Sequence, residues 1–269
     1  MLAKEILKPF EENIGAPYML WPDGGFISGS EADQISGVLL CWHVSVKALT
    51  MAVTNGCNTV LCHEAPFFNE KLELPPYRWL TPTAKPEMQS WHPNTQRQHL
   101  IEQHHLTVIQ AHYGWDRFCM FDAFSDKCGF TRKVQDHGWE TIFELQKEMT
   151  VAELAEELKK RLAIKGTVRV DGDLNRRISR VSSLWGGMGL SGNLYWVHQA
   201  INNGAQAGIA GEMDESFATY VNDADFPVIE TSHQVSEECG VSSYAEYMKK
   251  HFAGLKIFEY YGGRPYSTI

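Results

Sequence analysis

The apolar run Thr59-Val-Leu-Cys62 stops at His63-Glu64, and Pro66 keeps a strand from continuing. Just upstream, Ser36-Gly-Val-Leu-Leu-Cys-Trp42 reads as another buried strand. Between them Val46, Leu49 and Val53 recur at helical spacing, and Asn55-Gly56 supplies the stop. Strand, helix and strand at this spacing predict a right-handed parallel crossover. Open α/β sheets place their chemistry just past the carboxyl ends of such strands. A histidine and a carboxylate side by side at that position have the character of metal ligands.

Two more apolar runs lead to the same kind of pair. Leu106-Thr-Val-Ile-Gln110 leads to His112, with Asp116 four residues on; Val228–Thr231 leads to His233, with Glu237 four residues on. A spacing of four puts both side chains on one face of a helical turn. Alone, each pair is more often a surface ion pair or a helix cap than a ligand pair. Together they offer three imidazoles and three carboxylates past three strand ends, a donor set suited to two metal ions with a bridging carboxylate. Glu212, after the Ala207–Gly211 strand, is a candidate for a supporting or acid–base role.

The remaining pattern extends this α/β alternation. Residues 1–13 predict a short helix closing before Gly15, and Trp21-Pro-Asp-Gly-Gly a turn. Thr95–His105 predicts a helix. Residues 67–93, rich in proline and aromatics, predict an ordered excursion. Thr150 and Glu153 are spaced for a capping box opening a helix to Leu162. Strands are expected at Val168–Asp171, Ile178–Leu184 and Lys256–Tyr261, and helices at Leu194–Asn203 and Ser243–Phe252. Trp185-Gly-Gly-Met-Gly resembles a phosphate loop, but lacks a P-loop lysine and the dinucleotide-binding glycine spacing; a tight turn with close packing is the favoured reading. Ser191 lacks a nucleophile-elbow pattern.

A net charge of −9 argues against extended nucleic-acid binding. No apolar run is long enough to span a membrane, and the charged N-terminal residues do not resemble a signal peptide, so the expected location is the cytoplasm. The six cysteines form no Cys-x-x-Cys pair and are expected as reduced, mostly buried thiols.

The ordered set resembles the Nif-three-like dinuclear metal-binding family, labelled GTP cyclohydrolase 1 type 2-like. The segments that carry the resemblance are Leu61-Cys-His-Glu-Ala-Pro-Phe-Phe, Ala111-His-Tyr-Gly-Trp-Asp116, Val181–Gly189, Ile209-Ala-Gly-Glu212 and Thr231–Glu237. The resemblance implies His63, Glu64, His112, Asp116, His233 and Glu237 as ligands of two divalent ions, with Glu237 bridging. It also implies two similar α/β domains facing each other with the metals in the cleft, and a ring-shaped homohexamer. We expect the domains at residues 1–130 and 131–269, the second carrying His233 and Glu237 to the site.

The sequence departs from the family at several positions. Glu64 stands where a second histidine is usual, a harder ligand that leans towards iron or manganese, with zinc also accommodated. Ala65 is an extra residue before Pro66, His43 replaces an aspartate, and Ser216 a histidine. The expected function is a metal-dependent hydrolase acting on a small, nucleotide-like substrate, with Glu212 or His43 moving protons. A non-catalytic metal-binding or regulatory oligomer is the alternative, and a metal-free nucleotide binder using the glycine loop ranks third.

Overall fold

The computed structural model describes residues 1–68, 87–136 and 139–268. Helix α1 (Lys8–Ile14) ends on Gly15 in the left-handed region, and β1 (Gly25–Ser28) follows the Trp21–Gly25 turn. Next come β2 (Gly37–Cys41), α2 (Val46–Thr54) and β3 (Thr59–Cys62). Ser45 caps α2 by accepting the Ala48 N–H at 3.1 Å, and Gly56, at φ +69°, ends it. α3 (His92–Gln103) and β4 (Thr107–Gln110) repeat the helix–strand step. The sequence-predicted excursion lies largely outside the described residues; its final His92-Pro93 opens α3 instead, where proline suits the first turn.

β2, β3 and β4 pair in parallel, with Val38 opposite Thr59 and Thr59 opposite Thr107. Every residue of these strands is buried, as expected for the middle of a parallel sheet. β1 lies antiparallel on β4, and the C-terminal strand Lys256–Tyr260 pairs in parallel with β2. Leu39, Leu49, Val60, Ile101 and Val108 form part of the core between this sheet and its helices. At roughly 1.5–3 kcal/mol per fully buried aliphatic side chain, these central strands outweigh the solvent-facing edges in holding the sheet.

A helical run then takes the chain through α4 (His112–Trp115), a π-helical segment at Asp116–Met120, and α5 (Phe121–Cys128). Gly114 is required by packing, since a Cβ there would lie 2.5 Å from the Trp21 ring.

The second sheet contains β5 (Arg132–Asp136), β6 (Thr141–Thr150), β7 (Arg169–Asp171), β8 (Arg177–Leu184), β9 (Ala207–Ala210) and β10 (Val228–Glu230). Its order is β5-β6-β8-β9-β10-β7, with β8, β9 and β10 parallel. Its helices are α6 (Val151–Arg161), α7 (Leu194–Asn202) and α8 (Glu215–Asp223), and α9 (His233–His251) follows β10. The predicted capping box opens α6: Thr150 Oγ1 accepts the Glu153 N–H, and Glu153 accepts the Thr150 N–H at 2.7 Å.

The mixed α/β architecture with two sheets is as expected. Compact packing divides the chain into Met1–Met120 with Val241–Tyr261, and Phe121–Gly240 with Gly262–Ile269. The chain passes between these units at 120/121 and 240/241, both inside helical runs, and again at 261/262. The cysteines are free thiols. Among the described residues, no helix is long and apolar enough to cross a membrane.

Candidate metal centre

In the first unit, β3 delivers His63 and Glu64 directly. The His63 N–H donates to the Cys41 and Trp42 carbonyls, and the Glu64 N–H to Trp42 at 2.8 Å, so the ladder continues for two residues past the strand. The His63 side chain is fully buried. Its Nε2 shares a 2.8 Å hydrogen bond with Asp116 Oδ1. The helical run starting at His112 places Asp116 four residues on, with His112 Nδ1 3.9 Å from Asp116 Oδ2. The His63 and His112 rings lie 4.4 Å apart, and His112 Nε2 is 4.0 Å from Glu64 Oε1. One donor atom each from His63, Glu64 and His112 falls within 4.8 Å of the others. Short π-helical segments such as the one carrying Asp116 recur at functional sites, where they re-aim a side chain within a helix.

Asp23 joins this group although its sequence neighbourhood signals only a turn. Its Oδ2 lies 2.8 Å from His112 Nδ1, and its Oδ1 accepts the Tyr113 N–H at 3.0 Å. Burial would raise the Asp23 carboxyl, but the His112 hydrogen bond and charge outweigh it and hold it below the usual range. For His112, burial and the neighbouring His63 push down; the Asp23 hydrogen bond and the Asp116 and Asp23 charges push up and prevail.

In the second unit, His233 opens α9, so the four-residue spacing to Glu237 falls on a helical turn. Ser232, at φ +98°, makes the corner, and its N–H donates to the Gly211 carbonyl at 2.7 Å. The first turn sets His233 Nε2 3.0 Å from Glu237 Oε1. Glu212, past β9, takes the other ring nitrogen, with Oε1 2.8 Å from Nδ1.

The glycine-rich turn after β8 closes against these residues. A Cβ on Gly186, at φ +56°, would lie 2.1 Å from Glu237 Oε1. A Cβ on Gly211 would lie 2.2 Å from the Gly186 carbonyl oxygen. The turn is therefore a close-packed wall beside His233 and Glu237. Ser236, which the sequence did not signal, ties the two together: its Oγ accepts the Gly186 N–H at 3.0 Å and donates to the His233 carbonyl.

Each unit thus assembles its own sequence-predicted ligands: His63, Glu64, His112 and Asp116 in one, His233 and Glu237 in the other with Glu212. His43 stands past β2 between the Trp42 and Phe68 rings, at 5.9 and 5.5 Å. Ser191 donates its backbone N–H to Asp214 at 2.7 Å.

The donor set fits a metal ion. It mixes imidazole nitrogen with carboxylate oxygen, and the donors converge closely within each unit. Only a glycine at 186 lets the Glu237 carboxylate approach this closely.

A two-sheet α/β chain with buried His and carboxylate groups suited to a metal ion describes a class of proteins. The model of the Duf34/NIF3 (NGG1p interacting factor 3) family matches residues 1–261, and the chain belongs to that family. Its fold is similar to that of Staphylococcus aureus hypothetical protein SA1388, with a TM-score of 0.77 at 16% identity over 100% of this chain and 99% of the other. A Bacillus cereus protein related to NIF3 gives a TM-score of 0.77 at 15% identity, with the same coverage. Reduced HcgD from Methanocaldococcus jannaschii gives 0.70 at 16% identity, covering 96% of this chain and 97% of that one. Comparison with curated protein sequences finds no match.

Proposed function

We propose that this chain is a dinuclear metal-dependent hydrolase acting on a small, nucleotide-like substrate. His63, Glu64, His112, Asp116, His233 and Glu237 are its six ligands, with Glu237 as the bridge. The observation that carries the reading is the convergence of His63, Glu64 and His112 donors within 4.8 Å, with Asp116 hydrogen-bonded to buried His63. Such a cluster is costly to bury without a cation or shared protons to offset its charge.

When bound, a metal pair supplies a water of lowered pKa and an electrophile for developing negative charge. The chain's own residues do the positioning. Asp116 holds His63 at Nε2, and Glu212 holds His233 at Nδ1. We assign proton transfer to Glu212, which already belongs to the His233 hydrogen-bond set, or to His43 past β2. The carboxylates favour iron or manganese, with zinc accommodated. Assembly as a homohexamer belongs to the same reading.

The test is turnover of a panel of small phosphoesters and nucleotides by protein stripped of metal and reloaded with iron, manganese or zinc. Metal-dependent turnover that is lost in Asp116→Ala supports the hydrolase. Stoichiometric metal without turnover under every pairing favours the non-catalytic oligomer.

A further inference from the structure

We propose that Asp23 is a positioning residue that fixes the tautomer and ring plane of His112, leaving Nε2 as the metal-binding atom. The inference rests on reading His112 as a ligand, and it adds a residue to that reading.

The geometry leaves His112 Nδ1 one close acceptor among the described contacts. Asp23 Oδ2 is at 2.8 Å, whereas Asp116 Oδ2 is at 3.9 Å, too far for a hydrogen bond. A proton on Nδ1 pointing at Asp23 leaves the lone pair on Nε2, the atom that faces Glu64 at 4.0 Å. The Asp23 carboxylate is itself oriented, because its other oxygen accepts the Tyr113 N–H. Two charge-assisted contacts from one carboxylate to adjacent residues hold the ring to one orientation.

The turn that carries Asp23 is built to stay in place. Gly24 and Gly25 both have positive φ, at +109° and +115°. A Cβ on Gly24 would lie 2.8 Å from the Gln110 carbonyl oxygen, so the turn presses against the end of β4, just before His112. On the other side, Trp21 packs against Gly114 and donates its indole N–H to Ala16 at 3.1 Å. Glycine backbone conformations and close packing at this turn therefore serve to deliver one carboxylate to one imidazole.

The second unit repeats the device independently. Glu212 lies 2.8 Å from His233 Nδ1, and His233 Nε2 faces Glu237. Carboxylate on Nδ1 and ligand nitrogen on Nε2 is the arrangement that orients metal-bound histidines.

The experiment measures zinc affinity by competition with a chelating dye for wild type, Asp23→Ala, Asp23→Asn and His112→Ala. Thermal unfolding of each metal-free protein checks the fold. Asp23→Ala is expected to weaken the affected site by about 10–100-fold, and Asp23→Asn, which keeps an acceptor, by less. In zinc-loaded wild type, long-range proton–nitrogen NMR of labelled histidines should show His112 protonated at Nδ1 and ligated at Nε2. If His112→Ala loses zinc but Asp23→Ala binds as wild type does, or if His112 ligates through Nδ1, the positioning role is wrong and the ligand reading survives. If His112→Ala itself keeps full affinity, both fall. Should Asp23→Ala fail to fold, the Asn variant and the wild-type NMR signature decide the matter.

Discussion

His63 Nε2 and Asp116 Oδ1 lie 2.8 Å apart, and both side chains are buried, although 53 residues separate them in the chain. An imidazole and a carboxylate hidden together need a shared proton or a cation. Asp116→Asn preserves shape and removes the charge. Metal retention at this site should fall at least about tenfold, a loss even an outer-shell substitution can reach, as read by elemental analysis after dialysis.

Glu237 occupies the proposed bridging position, and its removal should affect both ions rather than one. Glu237→Ala is expected to lower occupancy of the pair together in a metal titration. Retention of two ions per chain would show that the bridge is elsewhere.

Gly186 is held at φ +56° with Glu237 Oε1 only 2.1 Å from where a Cβ would sit. Gly186→Ala should therefore cost about 1–2 kcal/mol from the backbone conformation alone. It should also displace the Glu237 carboxylate, so that metal content falls along with stability. Urea unfolding and metal analysis on one preparation separate the two effects.

Thr150 is the contrasting case, because its capping box lies outside the ligand set. Thr150→Ala should cost about 1 kcal/mol and leave metal content unchanged. A loss of metal in this variant would mean that local destabilisation alone empties the site, which would weaken inferences from the ligand variants.

Burial raises the Glu230 carboxyl above its usual value, against the lowering effects of Arg169 and Tyr266. The folded protein then keeps this proton to higher pH than the unfolded chain does. Its contribution to stability is present at low pH and declines as pH rises from the unfolded value through the raised folded one. Glu230→Gln should gain stability relative to wild type as pH rises above the usual carboxylate range, measured by urea unfolding of metal-free protein. A difference constant with pH would show that burial does not shift this group.

Much of the architecture is legible because its central strands are wholly buried. Apolar runs such as Val38–Cys41 and Val60–Cys62 need no partner to announce themselves. β5 and β6 are harder to see: β5 is mostly exposed, and the pairing of β6 with β8 shifts register between Glu144 and Met149. The start of α9 is also hidden. Gly240 interrupts a helical pattern at a cost near 1 kcal/mol, so the sequence suggests a helix only from residue 243. The ligand pairs are legible because their partners are four residues away or adjacent. Asp23 is not, since the residue that gives it meaning, His112, is brought to it by the sheet and by glycines whose positive φ a sequence does not display.

The central claim is that these residues hold metal, and the most direct measurement is metal content per chain. Wild type and His63→Ala should be purified without chelator and analysed side by side. About two ions are expected in wild type, with a clear fall in the variant. No bound ion in wild type, even after iron, manganese or zinc is supplied, would contradict the claim.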